Sequence, residues 1–149
     1  MQWITETIQD FESATEQILG YISKRYANYQ ADSACVVCLQ GDLGAGKTTM
    51  TQMIAKQLGV VESLQSPTFV IKKTYQTNND QIKKLVHIDA YRLEGEDSLD
   101  MLRLHDDFAS PNTLMIIEWP EMISSIIPKN SVHIKIEHNN SGRKIQINK

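Results

Sequence analysis

Eight consecutive residues, Gly41-Asp42-Leu43-Gly44-Ala45-Gly46-Lys47-Thr48, follow the pattern G-x-x-x-x-G-K-T. A loop of this kind cradles polyphosphate, because its glycines let the backbone turn tightly enough for successive N–H groups to converge on phosphate oxygens. Lys47 would reach the β- and γ-phosphates, and the Thr48 hydroxyl would serve a Mg²⁺ ion. Thr49 closes the run of expected phosphate-side residues, which starts at Asp42 and passes through Leu43, Gly44, Ala45 and Gly46.

Phosphate chemistry needs two further groups, a carboxylate that organises the Mg²⁺ and a residue that positions the nucleophile. Val86-His87-Ile88-Asp89 and Ile116-Ile117-Glu118 each place an acid at the end of an apolar run. Strand ends are where an α/β sheet presents its ligands. Spacing alone leaves open which acid touches the metal, and the ordinary alternative for either is a cap on a nearby turn. His87 lies two residues before Asp89 and so faces the same side of that strand. It reads as a hydrogen-bonded structural histidine that can also orient the Asp89 carboxylate. Cys35 and Cys38 invite a C-x-x-C reading, but residues three apart on a strand face opposite ways. They are expected to be two small buried side chains rather than a metal or disulfide pair.

The elements that must hold these groups are legible as periodicity. Ala34 to Leu39 is a short apolar, β-branched run and predicts a buried strand directly before the loop. Met50, Met53, Ile54 and Leu58 give the helix after it an apolar face, and Gly59 supplies its stop. Upstream, Trp3-Ile4-Thr5 predicts a short first strand. A helix from about Ile8 follows, with Ile8, Phe11, Ile18 and Ile22 on one side and Thr7 and Asp10 as a capping box. Downstream come strands over Phe69–Gln76 and Ile82–Asp89 around the turn Thr77-Asn78-Asn79-Asp80, then a short helix over Leu99–Leu104. A strand over Leu114–Glu118, a brief helix over Glu121–Ile127, and strands over Val132–Glu137 and Arg143–Ile147 complete the chain. Strands and helices mixed in this order predict a three-layer α/β sandwich of the P-loop NTPase type with a mixed central β-sheet.

Composition narrows the class. With 149 residues and no repeat, linker or low-complexity segment, residues 1–149 are expected to form a single domain. A formal charge of -3 and no basic tail argue against tight electrostatic binding of DNA or RNA by this chain alone, so RNA would be reached through a partner. The sequence has neither a membrane-span-length apolar stretch nor a signal-peptide-like start, and the expectation is a cytoplasmic protein without a membrane partner.

Four motifs together resemble a known family. Gly41-Asp42-Leu43-Gly44-Ala45-Gly46-Lys47-Thr48-Thr49 is followed by Ser66-Pro67-Thr68-Phe69, by His87-Ile88-Asp89-Ala90-Tyr91-Arg92-Leu93, and by Ile117-Glu118-Trp119-Pro120-Glu121. Their order and spacing are similar to those of the bacterial TsaE (YjeE) ATPases, over about Trp3 to Ile147. The loop is generic; the combination is specific. This resemblance implies an ATP-binding and ATP-hydrolysing subunit needed for N6-threonylcarbamoyladenosine modification of tRNAs that read ANN codons. TsaD and TsaB are the implied partners, with ATP and Mg²⁺ as cofactors. It implies Glu118 as the second metal ligand beside Thr48, and Asp89 as the residue organising the attacking water. It places Thr68 in a switch-like segment hinged at Pro67 that could sense the γ-phosphate, and it puts Thr7, Trp119 and Arg143 near the nucleotide. Arg92 could stabilise transition-state charge, although pairing with an acid is the simpler reading.

Two rival classes differ in what they need. A small-molecule or nucleotide kinase clamps two phosphorylated substrates with arginines. This chain has only Arg25, Arg92, Arg103 and Arg143, with Lys72-Lys73 and Lys83-Lys84 as additional charge. A GTPase-like module reads guanine through an N-K-x-D segment, and no such string occurs.

Overall fold

The computed structural model describes residues 1–28, 32–65, 67, 71–93 and 102–148. Within them the elements run β1 (Gln2–Thr5), α1 (Ile8–Asn28), β2 (Cys35–Gln40), α2 (Lys47–Gln57), β3 (Lys72–Gln76), β4 (Lys84–Asp89), α3 (Leu104–Phe108), β5 (Thr113–Glu118), β6 (Val132–Asn139) and β7 (Gly142–Asn148). Two 3-10 segments, Ala90–Arg92 and Pro120–Ile126, follow β4 and β5. The strands form one sheet in the order β1-β7-β6-β2-β5-β4-β3. β2 pairs parallel with both β5 and β6, and β4 pairs parallel with β5. β3 and the β6-β7-β1 ribbon are antiparallel, so the sheet is mixed, as expected.

Because side chains alternate across a strand, β2 feeds two separate cores. Val37 and Leu39 join Phe11, Ile18 and Ile22 of α1 and Met50 and Ile54 of α2 on one face. Val36 and Cys38 join Leu104 of α3, Ala90 and Ile123 on the other, which short elements cover. Cys35 packs on the first face and Cys38 on the second, so the two thiols are kept apart as their spacing requires. Burial pushes the Cys35 thiol up to about 11 and the Cys38 thiol to about 12, as desolvation does to a group that would have to ionise.

Two helix ends follow their sequence signals. At the start of α1, the Asp10 N–H donates to Thr7 Oγ1 at 3.1 Å and the Thr7 N–H donates to Asp10 Oδ2 at 2.9 Å. This is the reciprocal capping box. At the end of α2, Gly59 takes φ +74, and Val60 N–H reaches the Ala55 carbonyl while Gly59 N–H reaches Lys56. That is a Schellman stop, which favours glycine because its φ is positive.

Several boundaries differ from expectation. Ile8, expected on the buried side of α1, is 57% exposed, because the first turn of the helix lies at the wall of an open cleft. The described strand after Pro67 starts at Lys72, since Ile71 takes a left-handed φ of +65 that ends extended pairing. β4 starts at Lys84 because the Asn79 side chain folds back to accept from the Gln81 and Ile82 N–H groups. The helix expected over Leu99–Leu104 falls largely outside the described residues. Of its described part, Leu102 and Arg103 form a turn, and α3 begins at Leu104, where Asp106 and Asp107 favour a helix N-terminus. Among the described residues no helix is long and apolar enough to cross a membrane.

Candidate functional site

The loop from Gly41 to Gly46 joins β2 to α2 at the carboxyl end of the parallel strands. Gly41 (φ +151) runs so close to β6 that a Cβ there would lie 2.3 Å from the Ile136 carbonyl oxygen. Gly46, the N-cap of α2, takes φ +114. Both positions need glycine. The α2 start, Gly46 to Thr49, borders a cleft, and a helix N-terminus is where an anion is favoured.

Lys47 opens α2 and is 5% exposed. Its ammonium donates to the carbonyl oxygens of Gly41 at 2.6 Å and Asp42 at 2.9 Å, and stands 4.0 Å from the centroid of the Trp119 ring. Burial pulls its pKa below the ordinary lysine value, against an opposing pull from Glu118, Glu121, Asp89 and Asp42. Thr48 donates from Oγ1 to Glu118 at 2.9 Å (Oε1) and 3.1 Å (Oε2). A hydroxyl and a carboxylate thus meet beside the lysine.

Sheet register explains how both expected acids arrive there. Asp89 and Glu118 are paired across β4 and β5, and Glu118 is also paired with Leu39 of β2, just ahead of the loop. Asp89 is 6% exposed and accepts the Tyr91 N–H at 3.1 Å, so it caps the 3-10 turn as well as facing the cleft. Glu118 is the acid that touches Thr48. His87 is a buried, hydrogen-bonded histidine as expected, but the carboxylate it meets is not that of Asp89: its Nε2 lies 2.7 Å from Glu118 Oε1. In a parallel ladder the diagonal neighbour is within reach of a long side chain, which a same-strand argument overlooks.

These groups line a cleft of about 360 Å³ bounded by Leu43, Gly44, Gly46, Thr49, Asp89, Tyr91, Arg92, Glu118 and Trp119. Trp119 has a left-handed backbone (φ +57), and its ring contacts Tyr91 with centroids 4.9 Å apart. Tyr91 is a wall of the site that sequence reasoning left without a role, although its place two residues after Asp89 was the available signal. Leu43 is 87% exposed at the loop tip.

On the other side of the loop, a cleft of about 230 Å³ is lined by Thr5, Thr7, Phe11, Ala45, Ser141 and Arg143, and shares Gly44, Gly46 and Thr49 with the first. Thr7 is therefore both a cap and a wall. Its oxygen accepts from the Asp10 N–H. Arg143 grips the loop from behind, donating to the Ala45 carbonyl at 2.9 Å and the Gly44 carbonyl at 3.2 Å. Phe11 and Ser141 were not foreseen as site residues; Phe11 reads as core from helical periodicity, and Ser141 as a turn residue. Ser66, Thr68 and Phe69 lie outside the described residues.

The lysines that a kinase reading would recruit are committed elsewhere. Asp107 pairs with Lys72 at 2.7 Å and with Lys84 at 3.4 Å on the far face of the sheet. Lys83 faces Asp80 at 3.7 Å, and Lys73 lies 5.0 Å from the Tyr75 ring centroid.

Comparison with known proteins gives the family. The chain is 32% identical over 116 residues to the tRNA threonylcarbamoyladenosine biosynthesis protein TsaE of Haemophilus influenzae, covering 78% of this chain and 71% of that protein. It is 39% identical over 102 residues to the protein of the same name from Bacillus subtilis, covering 68% of this chain and 61% of that one. The crystal structure of Bacillus subtilis YdiB superposes with a TM-score of 0.68 at 29% identity, over 99% of this chain and 83% of YdiB. The family model described as "Threonylcarbamoyl adenosine biosynthesis protein TsaE" matches residues 10–145. The chain belongs to the TsaE family.

Proposed function

We propose that this chain is a Mg²⁺-dependent ATPase that serves threonylcarbamoyladenosine modification of tRNA, as the names of its relatives suggest. The observation that carries the catalytic part is the meeting of Thr48 and Glu118 at 2.9 Å, next to Lys47 and the start of α2. The donor set fits Mg²⁺, which prefers hard oxygens and is bound by one or two carboxylates together with substrate phosphates. Thr48 and Glu118 would hold the ion, which when bound neutralises charge on the transferring phosphate.

This geometry and the family resemblance together support the following division of roles. Backbone N–H groups from Gly44 to Thr49 bind the phosphates, and Lys47 exchanges the carbonyls of Gly41 and Asp42 for phosphate oxygens. Asp89, whose carboxylate also accepts the Tyr91 N–H, accepts a proton from the attacking water. That water's oxygen attacks the γ-phosphorus, and the bond to the β–γ bridging oxygen breaks with its electron pair leaving on ADP. Thr68, as the family resemblance implies, senses the γ-phosphate. Thr7 and Arg143 line the side of the loop that receives the rest of the nucleotide, and Trp119 packs against the phosphate side.

TsaD and TsaB are the proposed partners, with tRNA reached through them, since the chain's mild negative charge gives little direct attraction to RNA. The kinase reading is weaker because Lys72 and Lys84 already neutralise Asp107.

Calorimetry of ATP with and without Mg²⁺, followed by reconstitution with the two partners, tRNA and a threonylcarbamoyl donor, tests the proposal. The expected result is binding that Mg²⁺ strengthens, and multiple-turnover modification that is lost in Lys47→Ala. Modification proceeding undiminished without this chain, or without its lysine, overturns it.

A further inference from the structure

His87 is fully buried at the centre of β4, and its ring makes a single polar contact among the described residues. Nε2 lies 2.7 Å from Glu118 Oε1, while Nδ1 has no hydrogen-bond partner among the described residues. A histidine kept for packing alone normally has its buried nitrogens satisfied, because a buried polar atom left alone destabilises the fold. Here one nitrogen is left without a bond and the other is committed to Glu118. An ionised carboxylate only accepts, so the proton of a neutral ring belongs on Nε2.

Sheet geometry makes this contact deliberate. His87 is paired with Ile116, and Glu118 with Asp89, so His87 reaches Glu118 along the diagonal of the β4–β5 ladder. Glu118 Oε1 then receives the imidazole from below and Thr48 from α2. Without the ring, the Thr48 hydroxyl alone among the described hydrogen bonds would hold the carboxylate, and its neighbour across the ladder is another acid, Asp89.

We infer that His87 is a positioning residue: its Nε2–H holds the Glu118 carboxylate in the orientation that, together with Thr48, receives the divalent cation. This rests on the proposed role of Glu118 as a metal ligand. Imidazole and carboxylate groups that orient a ligand from behind typically govern metal affinity by about 10–100-fold.

The test compares His87→Phe, which fills the space without a donor, with His87→Gln, whose amide nitrogen stands about where Nε2 does. ATP affinity is measured by calorimetry with and without Mg²⁺, alongside thermal unfolding. His87→Phe is expected to weaken Mg²⁺-dependent affinity about 10–100-fold while leaving Mg²⁺-free affinity unchanged, and His87→Gln to recover most of the loss. A purely packing role would lower the unfolding temperature of His87→Phe and leave the Mg²⁺ dependence intact, which overturns the inference. If the unsubstituted protein shows no Mg²⁺ dependence, the metal reading and this one fall together, so the two failures are distinguishable. Nitrogen-15 NMR of the metal-free unsubstituted protein gives a readout independent of any variant's folding. A proton on Nε2, with the signal shifting when Mg²⁺ and ATP are added, supports the role; a ring protonated only on Nδ1 refutes it.

Discussion

The guanidinium of Arg143 holds the loop that carries Ala45, donating from Nε to the Ala45 carbonyl at 2.9 Å and from Nη2 to Gly44 at 3.2 Å. A residue of the last strand thus fixes the outer wall of the phosphate loop. Two carbonyl oxygens of the loop are thereby neutralised by a cation, which favours a nearby anion. Arg143→Ala is expected to lower ATP affinity roughly tenfold, about 1.4 kcal/mol. Arg143→Lys should rescue little, because one ammonium cannot reproduce the planar fork. Calorimetric titration of both variants checks this, and an alanine variant that binds as tightly as the parent would remove Arg143 from the site.

Lys47 is held at rest by the carbonyls of Gly41 and Asp42 and by the face of Trp119. Replacing it leaves the loop its glycines but not its mobile charge. Lys47→Ala is expected to weaken ATP binding by more than about tenfold while ADP loses less, because the lysine serves the β- and γ-phosphates together. The two nucleotides should be titrated side by side. Equal losses would mean that the ammonium acts only through the loop's conformation.

The sequence disclosed this site unevenly, for physical reasons. Gly41 to Thr48 and the two strand-end acids were visible because each role needs a particular residue type at a particular place. The α1 cap was visible for the same reason, since Thr7 and Asp10 are local partners. What depends on strand order was not visible. Which acid touches Thr48 is decided by the β2-β5-β4 order, and His87 pairs with Glu118 rather than Asp89 only because β4 and β5 run parallel in that register. Arg143 was read as a basic residue near the nucleotide, but its grip on Gly44 and Ala45 needs β7 packed beside the loop. Local chemistry can be read from the chain; contacts between distant strands depend on the sheet.

Asp89 should separate binding from turnover. It lies beside Glu118 in the ladder but bonds Tyr91 rather than Thr48, so its loss leaves the phosphate and metal groups in place. Asp89→Asn is expected to keep ATP affinity within about twofold and to lower the hydrolysis rate by roughly 10²–10⁴, the usual contribution of a positioned base. Asparagine keeps an oxygen for the Tyr91 N–H, so the turn that follows should survive. Normal hydrolysis in this variant would move the water-positioning role to another group.

The capping box at the α1 start makes one element of stability depend on pH. Hydrogen bonds from the Thr7 side chain and backbone, and then from the Glu6 backbone, hold the Asp10 carboxyl below its ordinary value of 3.8. A carboxyl depressed in the folded state binds protons more readily when unfolded, so its stabilisation is fully present above that value. It is lost as pH falls through the lower, folded value. Thermal unfolding of the parent and of Asp10→Ala, followed from about pH 7 to about pH 2, should show a gap that is constant at the neutral end and closes at the acid end. Thr7 also lines the cleft beside the loop, so fraying of this helix start should weaken ATP binding in Asp10→Ala even at neutral pH. A gap that widens on acidification would mean that the carboxylate is not the group the cap depends on.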